Sequence, residues 1–339
     1  MPQNIKELDI ITTQSSRINP IDVPERGESF VLAARSGLYI LLLLVVAVGA
    51  GAYGLRKYSI FSCQASGYSS DRYLSYCNAT SYGDYDHGAI WFGLEPVANA
   101  AVNARVLFLG NSRTQFAFST KATSDWFSAL SESYYLLGFS HDENYTFEAP
   151  LLRKLRPRAK VYVINIDTFF GQSETGPGKT VMHDEAARSR YEQKRQWQEL
   201  HKEICTNYKA ICGHAEVIFR SRPTGAWILS GNPFPSAPVS YDESIDQSML
   251  TSYTALGKQF LPKLTSDHAC TILTIVPTVK TGLGTARALA PALGFTLVAP
   301  RLDGLMTFDK MHLDQGSAQR WSSAFFEEAG PQIRKCLAE

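Results

Sequence analysis

The feature that most constrains this chain is an uncharged apolar segment near its beginning. Residues 37–54, GLYILLLLVVAVGAGAYG, carry no charged side chain and are flanked by Arg35 and Arg56. As an α-helix, such a segment is about 27 Å long, which is close to the thickness of a bilayer's hydrocarbon core. A core helix of a soluble domain rarely lacks every polar residue. We therefore expect a transmembrane helix at residues 36–55.

A cleaved signal peptide is the alternative interpretation, because residues 50–52, Ala-Gly-Ala, resemble a cleavage site. The segment before the apolar run is much longer than the basic n-region of a usual signal peptide, which favours an uncleaved signal anchor. Residues 1–35 are polar, contain Pro20 and Pro24, and show no sustained periodicity. They are predicted to form a disordered cytoplasmic tail.

All six cysteines follow the apolar segment. An even number of cysteines in an exported domain indicates disulfides, and six allow fifteen pairings. The pairing nearest in sequence joins Cys63 with Cys77, Cys205 with Cys212, and Cys270 with Cys336. None of these spacings is the C-x-x-C typical of zinc or redox sites. We therefore expect a single-pass membrane protein with its C-terminal domain outside the cytoplasm.

From residue 105 onward, apolar runs of strand length alternate with helical patterns. Strands are predicted at 106–109, 134–138, 160–167, 270–276 and 295–298, and a last helix at 316–329. Such alternation indicates an α/β fold with a parallel sheet and helices on both faces.

Two other segments flank or interrupt this pattern. Residues 56–104 are rich in Tyr, Ser and Gly and are predicted to be an extracytoplasmic linker. Residues 170–265 are predicted to be a largely helical insertion within the 105–339 domain. An insertion above the C-terminal ends of the strands either forms part of a substrate cleft or only buttresses the fold.

Candidate catalytic residues lie at both ends of the domain. Ser112 follows the apolar strand that ends at Gly110, and a serine at a strand-to-helix turn is exposed beside backbone N–H groups that can face an oxyanion. Asp309 lies three residues before His312, a spacing that lets the carboxylate orient the imidazole. Singly, the serine also fits a helix cap and the histidine a hydrogen-bonded surface residue. Together they predict a Ser-His-Asp triad.

The blocks Gly110-Asn111-Ser112, Gly138 and Asp309-x-x-His312 resemble those of the SGNH (GDSL-type) hydrolase superfamily over about residues 105–330. The resemblance implies a flavodoxin-like parallel sheet. It also implies Ser112 as nucleophile, His312 as general base and acid, and Asp309 as the residue that orients His312. The backbone N–H groups of Ser112 and Gly138 would donate to the oxyanion.

The chain departs from the family's pattern at two positions. Asn111 replaces the usual aspartate, and we expect its side chain to brace the turn. The third block, normally Gly-x-Asn-Asp, is Asn165-Ile-Asp167-Thr168. An ionised Asp167 cannot donate a hydrogen bond. Either Asp167 is protonated, or another donor such as Asn232 enters from the insertion, or the oxyanion hole is weak.

The anchor and exported domain are similar to the membrane-bound proteins that add or remove acyl groups on bacterial cell-surface polysaccharides. The resemblance implies a single-pass protein of a bacterial inner membrane, with its C-terminal domain in the periplasm. This resemblance implies an acyltransferase or esterase with O-acetyl chemistry on a glycan, and for a transferase a multi-spanning partner that supplies the acyl group. The alternative is a non-catalytic glycan-binding or assembly subunit. We expect no cofactor and no metal. A net charge of +1 without a long basic run disfavours nucleic acid as a partner.

Overall fold

The computed structural model describes residues 26–57, 61–79, 82–209, 212–230, 236–264 and 270–339. The chain divides into two units, residues 1–54 and 55–339. The first is represented by helix α1 (Arg26–Lys57). Within it, Ser36–Leu55 is long and apolar enough to cross a membrane. The predicted apolar helix is therefore confirmed. The same length and composition also suit a signal sequence, so a retained anchor and a cleaved signal sequence both fit this helix.

The second unit contains strands and helices in alternation. The strands are β1 (Arg72–Cys77), β2 (Gly83–Asp84), β3 (Val106–Asn111), β4 (Tyr134–Phe139), β5 (Val161–Asn165), β6 (Val217–Ser221), β7 (Trp227–Ser230), β8 (Ala237–Pro238), β9 (Cys270–Thr274), β10 (Thr296–Leu297) and β11 (Met306–Thr307). The helices are α2 (Asp86–Trp91), α3 (Val97–Asn103), α4 (Ser112–Phe118), α5 (Lys121–Leu130), α6 (Tyr145–Leu155), α7 (Gly176–His183), α8 (Ala187–Asn207), α9 (Gln247–Leu264), α10 (Leu283–Leu293) and α11 (Gln315–Ala338).

The central sheet has five parallel strands in the order β10-β9-β5-β3-β4. Numbered along the chain, this order is 2-1-3-4-5, the order of flavodoxin-like sheets. Alternate residues of β3 enter separate cores: Leu107 and Leu109 join one cluster, and Val106 and Phe108 join the other. The predicted α/β fold with helices on both faces is therefore confirmed.

A four-stranded antiparallel sheet, β2-β1-β6-β7, lies beside the parallel one. Strands β1 and β2 come from residues 56–104, so the part of this segment that the structure describes is folded and the predicted linker is corrected. The physical reason is burial, since Tyr73 and Leu74 of β1 are fully buried. The turn after β6 accepts a backbone hydrogen bond from Leu136 of β4 at 2.8 Å, on Thr224. It thereby covers an edge of the parallel sheet.

The insertion at 170–265 contributes helices α7, α8 and α9, the hairpin β6–β7 and the short strand β8. The first helix after β3 begins directly at Ser112. Helix α6 begins at Tyr145, after a loop in which His141 and Asp142 have positive φ values of 64° and 53°, which a right-handed helix cannot include.

Three disulfides join the cysteines in the predicted pairs: Cys63–Cys77, Cys205–Cys212 and Cys270–Cys336. The third links residues 66 apart, the first residue of β9 and the end of α11. In the chain-entropy model a loop of this length stabilises the fold by about 4 kcal/mol. Disulfides persist in oxidising compartments, which favours an extracytoplasmic location for this unit.

Candidate active site

Ser112 lies at the abrupt change from β3 to α4. Gly110 has a φ of 139°, and an added Cβ there would lie 2.4 Å from the Thr114 hydroxyl. A glycine is therefore required for this turn. Asn111 caps α4 by accepting from Arg113 N at 3.0 Å, and it donates to the Thr168 hydroxyl at 2.8 Å. These two hydrogen bonds brace the turn between β3 and α4.

Asp309 and His312 lie in a tight loop between β11 and α11. The ends of the loop pair through Thr307 and Leu313, and Phe308 N donates to His312 O at 2.9 Å. One Asp309 carboxylate oxygen accepts from His312 N at 2.8 Å and Met311 N at 2.9 Å. These bonds hold the Asp309 carboxylate in position beside the imidazole.

The three predicted triad residues lie together in the structure, although Ser112 and His312 are 200 residues apart in sequence. Ser112 Oγ lies 2.7 Å from His312 Nε2, and His312 Nδ1 lies 2.6 Å from Asp309 Oδ2. Burial raises the pKa of Asp309, but the hydrogen bond and charge of His312 and two backbone N–H groups outweigh it, so that pKa lies below its ordinary value. An ionised Asp309 accepts from Nδ1–H and leaves Nε2 free to accept the serine proton.

Aromatic rings confine the imidazole. Phe308 stacks on His312 with ring centroids 5.5 Å apart, and Phe116 meets it edge-on at 4.8 Å. The triad opens into a cleft of about 220 Å³ whose far side includes Ser140 and His141. Packing on both sides of the ring holds it toward Ser112 and still leaves the serine accessible.

Two further cavities adjoin the cleft. One of about 290 Å³ shares Phe116, Trp227 and Phe308 with the cleft. The other, of about 360 Å³, begins at Arg113 and Met311 and continues to the ends of β5 and β9.

The next predicted oxyanion residue is Gly138. Gly138 lies inside β4, opposite Gly110, and an added Cβ would lie 2.7 Å from Asn111 O. Close approach of β3 and β4 therefore accounts for a glycine there, and Ser140 and His141 line the cleft beyond it. Asn232 lies outside the described residues.

Asp167 follows β5 and acts as an acceptor. Its carboxylate accepts a short hydrogen bond from Arg113 Nη1 and a 3.5 Å one from Asn111 Nδ2. Both contacts use Asp167 as an acceptor, so they give no support to the alternative that Asp167 donates to an oxyanion.

Sequence reasoning missed Arg113, whose side chain is only 7% exposed and also pairs with Asp142 at 3.1 Å. A basic residue directly after the candidate nucleophile, with acidic residues after the second and third strands, was the available signal.

It also missed a second Asp-x-x-His pair, Asp84 and His87, although the spacing is the same as in the triad. His87 is fully buried, with Nδ1 3.0 Å from Asp84 Oδ1 and Nε2 2.9 Å from Glu143 Oε2. Burial opposes its charge, but the two carboxylates outweigh burial and raise the pKa of His87 to about 10. Ser140, which lines the cleft, donates to Asp84 Oδ2 at 3.1 Å. The buried pair thus supports one wall of the candidate site.

Comparison of the chain with protein-family models, with curated proteins and with solved structures finds no match.

Proposed function

We propose that this protein is a membrane-anchored serine acyltransferase or esterase whose exported domain forms an acyl-enzyme on Ser112. The observation that carries the proposal is the continuous chain of contacts from Ser112 Oγ through His312 to Asp309, at 2.7 Å and 2.6 Å. Nucleophile, base and orienting carboxylate within hydrogen-bond reach are the geometric signature of this chemistry.

In the proposed reaction, Ser112 Oγ attacks the ester carbonyl carbon while His312 Nε2 takes the hydroxyl proton. Asp309 keeps the imidazole in the tautomer that accepts at Nε2 and stabilises the imidazolium that forms. Collapse of the tetrahedral intermediate breaks the bond to the alcohol, which leaves with the proton from His312. Water or an acceptor hydroxyl then takes the acyl group by the reverse steps.

The position of the site supports the proposal. In an open α/β sheet of this order, ligands bind beyond the carboxyl ends of the strands where the strand order reverses, here between β3 and β5. Ser112 follows β3 and Asp167 follows β5. This arrangement, together with the motif order, supports an SGNH-like domain.

The proposed substrate is an O-acylated glycan of the bacterial cell surface, with acetyl as the group transferred or removed. The apolar helix Ser36–Leu55 and three disulfides support a site on the outer side of the inner membrane. A transferase there requires acyl groups delivered across the membrane, so we propose a multi-spanning partner for that case.

The test is hydrolysis of 4-nitrophenyl acetate by the full-length chain in detergent micelles, comparing wild type with Ser112→Ala. Ser128→Ala, an exposed serine on α5, is the matched control. We expect the rate to fall to background in Ser112→Ala and to stay at the wild-type level in the control. Equal background rates in all three folded proteins would contradict the enzyme proposal and favour the non-catalytic glycan-binding or assembly role.

A further inference from the structure

Arg113 directly follows Ser112, and its guanidinium pairs with carboxylates beyond the ends of the two neighbouring strands. Asp142 lies in the loop after β4 and Asp167 follows β5, while Ser112 lies at the end of β3, between those two strands. The Arg113 guanidinium pairs with both carboxylates. It therefore extends across the end of the strand that presents Ser112. Its Nη2 atom also lies 4.0 Å from the sulfur of Met311, the residue before His312.

The Arg113 guanidinium has more N–H donors than its two carboxylate partners occupy. Arginine carries five N–H donors. Nη1 is held by Asp167, and Nη2 contacts the exposed carboxylate of Asp142. Nη2 is therefore the donor that an entering ligand oxygen can reach.

The two carboxylates hold Arg113 unequally. The Asp167 side chain is 11% exposed, but that of Asp142 is 60% exposed. An ion pair to an exposed carboxylate is typically worth only about 0–1 kcal/mol. A substrate oxygen can therefore displace Asp142 from Nη2 while Asp167 keeps the guanidinium in place.

We propose that Arg113 supplies the oxyanion donor that Asp167 cannot, with Asp167 as the positioning residue that aims it. This inference rests on the proposed function and adds a charged donor to it. When the Ser112 Oγ–carbon bond forms, the carbonyl π pair moves onto the carbonyl oxygen and the hydroxyl proton moves to His312 Nε2. The new oxyanion accepts hydrogen bonds from the Arg113 guanidinium, which remains protonated throughout. The substrate class that suits this donor is an oxygen ester with an uncharged acyl group, because a carboxylate in the acyl group would compete for the same guanidinium.

The experiment compares full-length wild type, Arg113→Met and Arg113→Lys in detergent micelles with 4-nitrophenyl acetate. Arg188→Met on α8, whose side chain is 64% exposed, is the matched control for loss of one positive charge. We expect kcat to fall about 100- to 1,000-fold in Arg113→Met with KM little changed, and less in Arg113→Lys. Added guanidinium chloride at non-denaturing concentration should restore part of the Arg113→Met rate.

A second readout separates this role from a structural one. A trifluoromethyl ketone adds to the serine and forms an oxyanion, whereas the matching methyl ketone binds as a neutral ground-state analogue. The affinity for the trifluoromethyl ketone should fall in Arg113→Met by about the same factor as kcat/KM, with the methyl ketone unaffected. A rise in KM alone, or equal losses for both ketones, would overturn the inference. A wild type that is inactive on every ester would instead refute the proposed function.

Discussion

The two Asp-x-x-His pairs of this molecule share their spacing and the contacts between histidine and aspartate, but they differ in the partner of the histidine Nε2 atom. In both, the histidine Nδ1 lies close to the carboxylate three residues earlier, at 3.0 Å for Asp84–His87 and 2.6 Å for Asp309–His312. The Nε2 atom of His87 faces a second buried carboxylate, Glu143, whereas that of His312 faces the Ser112 hydroxyl.

The partner of the Nε2 atom decides what each imidazole can do. His87 is held between two carboxylates, which favours a permanent imidazolium that links α2 to the loop before α6. His312 has a carboxylate on one side and a hydroxyl on the other, so its neutral form can accept a proton. The lesson is that the Asp-x-x-His spacing builds a rigid imidazole, and the residue brought to its Nε2 atom determines whether it supports the fold or the proposed chemistry.

Replacing each histidine with glutamine is the strongest test of this comparison. We expect His312→Gln to lose about a millionfold in kcat on an activated ester, as loss of a catalytic histidine typically does. The same variant should unfold in urea within about 1 kcal/mol of wild type, since His312 lies in an open cleft. Substantial esterase activity in His312→Gln would remove the distinction between the two pairs.

Asp309→Asn tests the orienting carboxylate of the triad. The amide can present its NH₂ group to Nδ1 and thereby favour the wrong tautomer, so we expect kcat to fall about 10,000-fold with little change in stability. The rate should be measured on the same ester and the fold checked by near-ultraviolet circular dichroism. A loss below tenfold would mean that Asp309 is not needed to orient His312.

His87→Gln should have the opposite profile, with stability as its main loss. Removing the imidazolium leaves Asp84 and Glu143 as buried carboxylates without their shared partner, and breaking a buried ion pair typically costs about 3–5 kcal/mol. Urea unfolding of the full-length chain in micelles measures the difference. A loss below 1 kcal/mol would show that this network contributes little to the fold.

The pH dependence of stability sharpens the same contrast. The pKa of His87 is raised to about 10 in the folded protein, above the ordinary 6.5, so the folded state retains a proton that the unfolded state releases. Its stabilising effect is complete below about pH 6.5 and decreases as the pH rises toward 10, by at most about 1.4 kcal/mol per pH unit. The free energy of unfolding of wild type minus that of His87→Gln should decrease over this interval. A difference that is constant from pH 6.5 to 10 would contradict the charged form of His87.

The features that sequence predicted well are those with local patterns. The five parallel strands are apolar runs between helices, the disulfides join neighbouring cysteines, and the apolar run that leads to Ser112 is followed by Gly110. The hairpin β6–β7 was missed because Arg220 interrupts its apolar pattern. That arginine is fully buried against Asp86, in a pairing that no local pattern reveals.

The site was predictable in part for the same reason. Ser112 follows a recognisable strand and the Asp309-x-x-His312 pair precedes the last helix, but the roles of Arg113 and His87 depend on partners far away in sequence. Glu143 is 56 residues from His87, and Asp167 is 54 residues from Arg113. The spacing is the same in both pairs, so only the fold determines that the Nε2 atom of His312 faces Ser112.

The most direct test of the central claim is to identify the acylated residue. Full-length protein would be mixed with 4-nitrophenyl acetate, quenched in acid within milliseconds to seconds, digested and analysed by mass spectrometry. The account predicts one acetyl group on the peptide that contains Ser112, absent in Ser112→Ala and formed far more slowly in His312→Gln. Folded wild-type protein that acquires no acetyl group, or acquires it on another residue, would contradict the account.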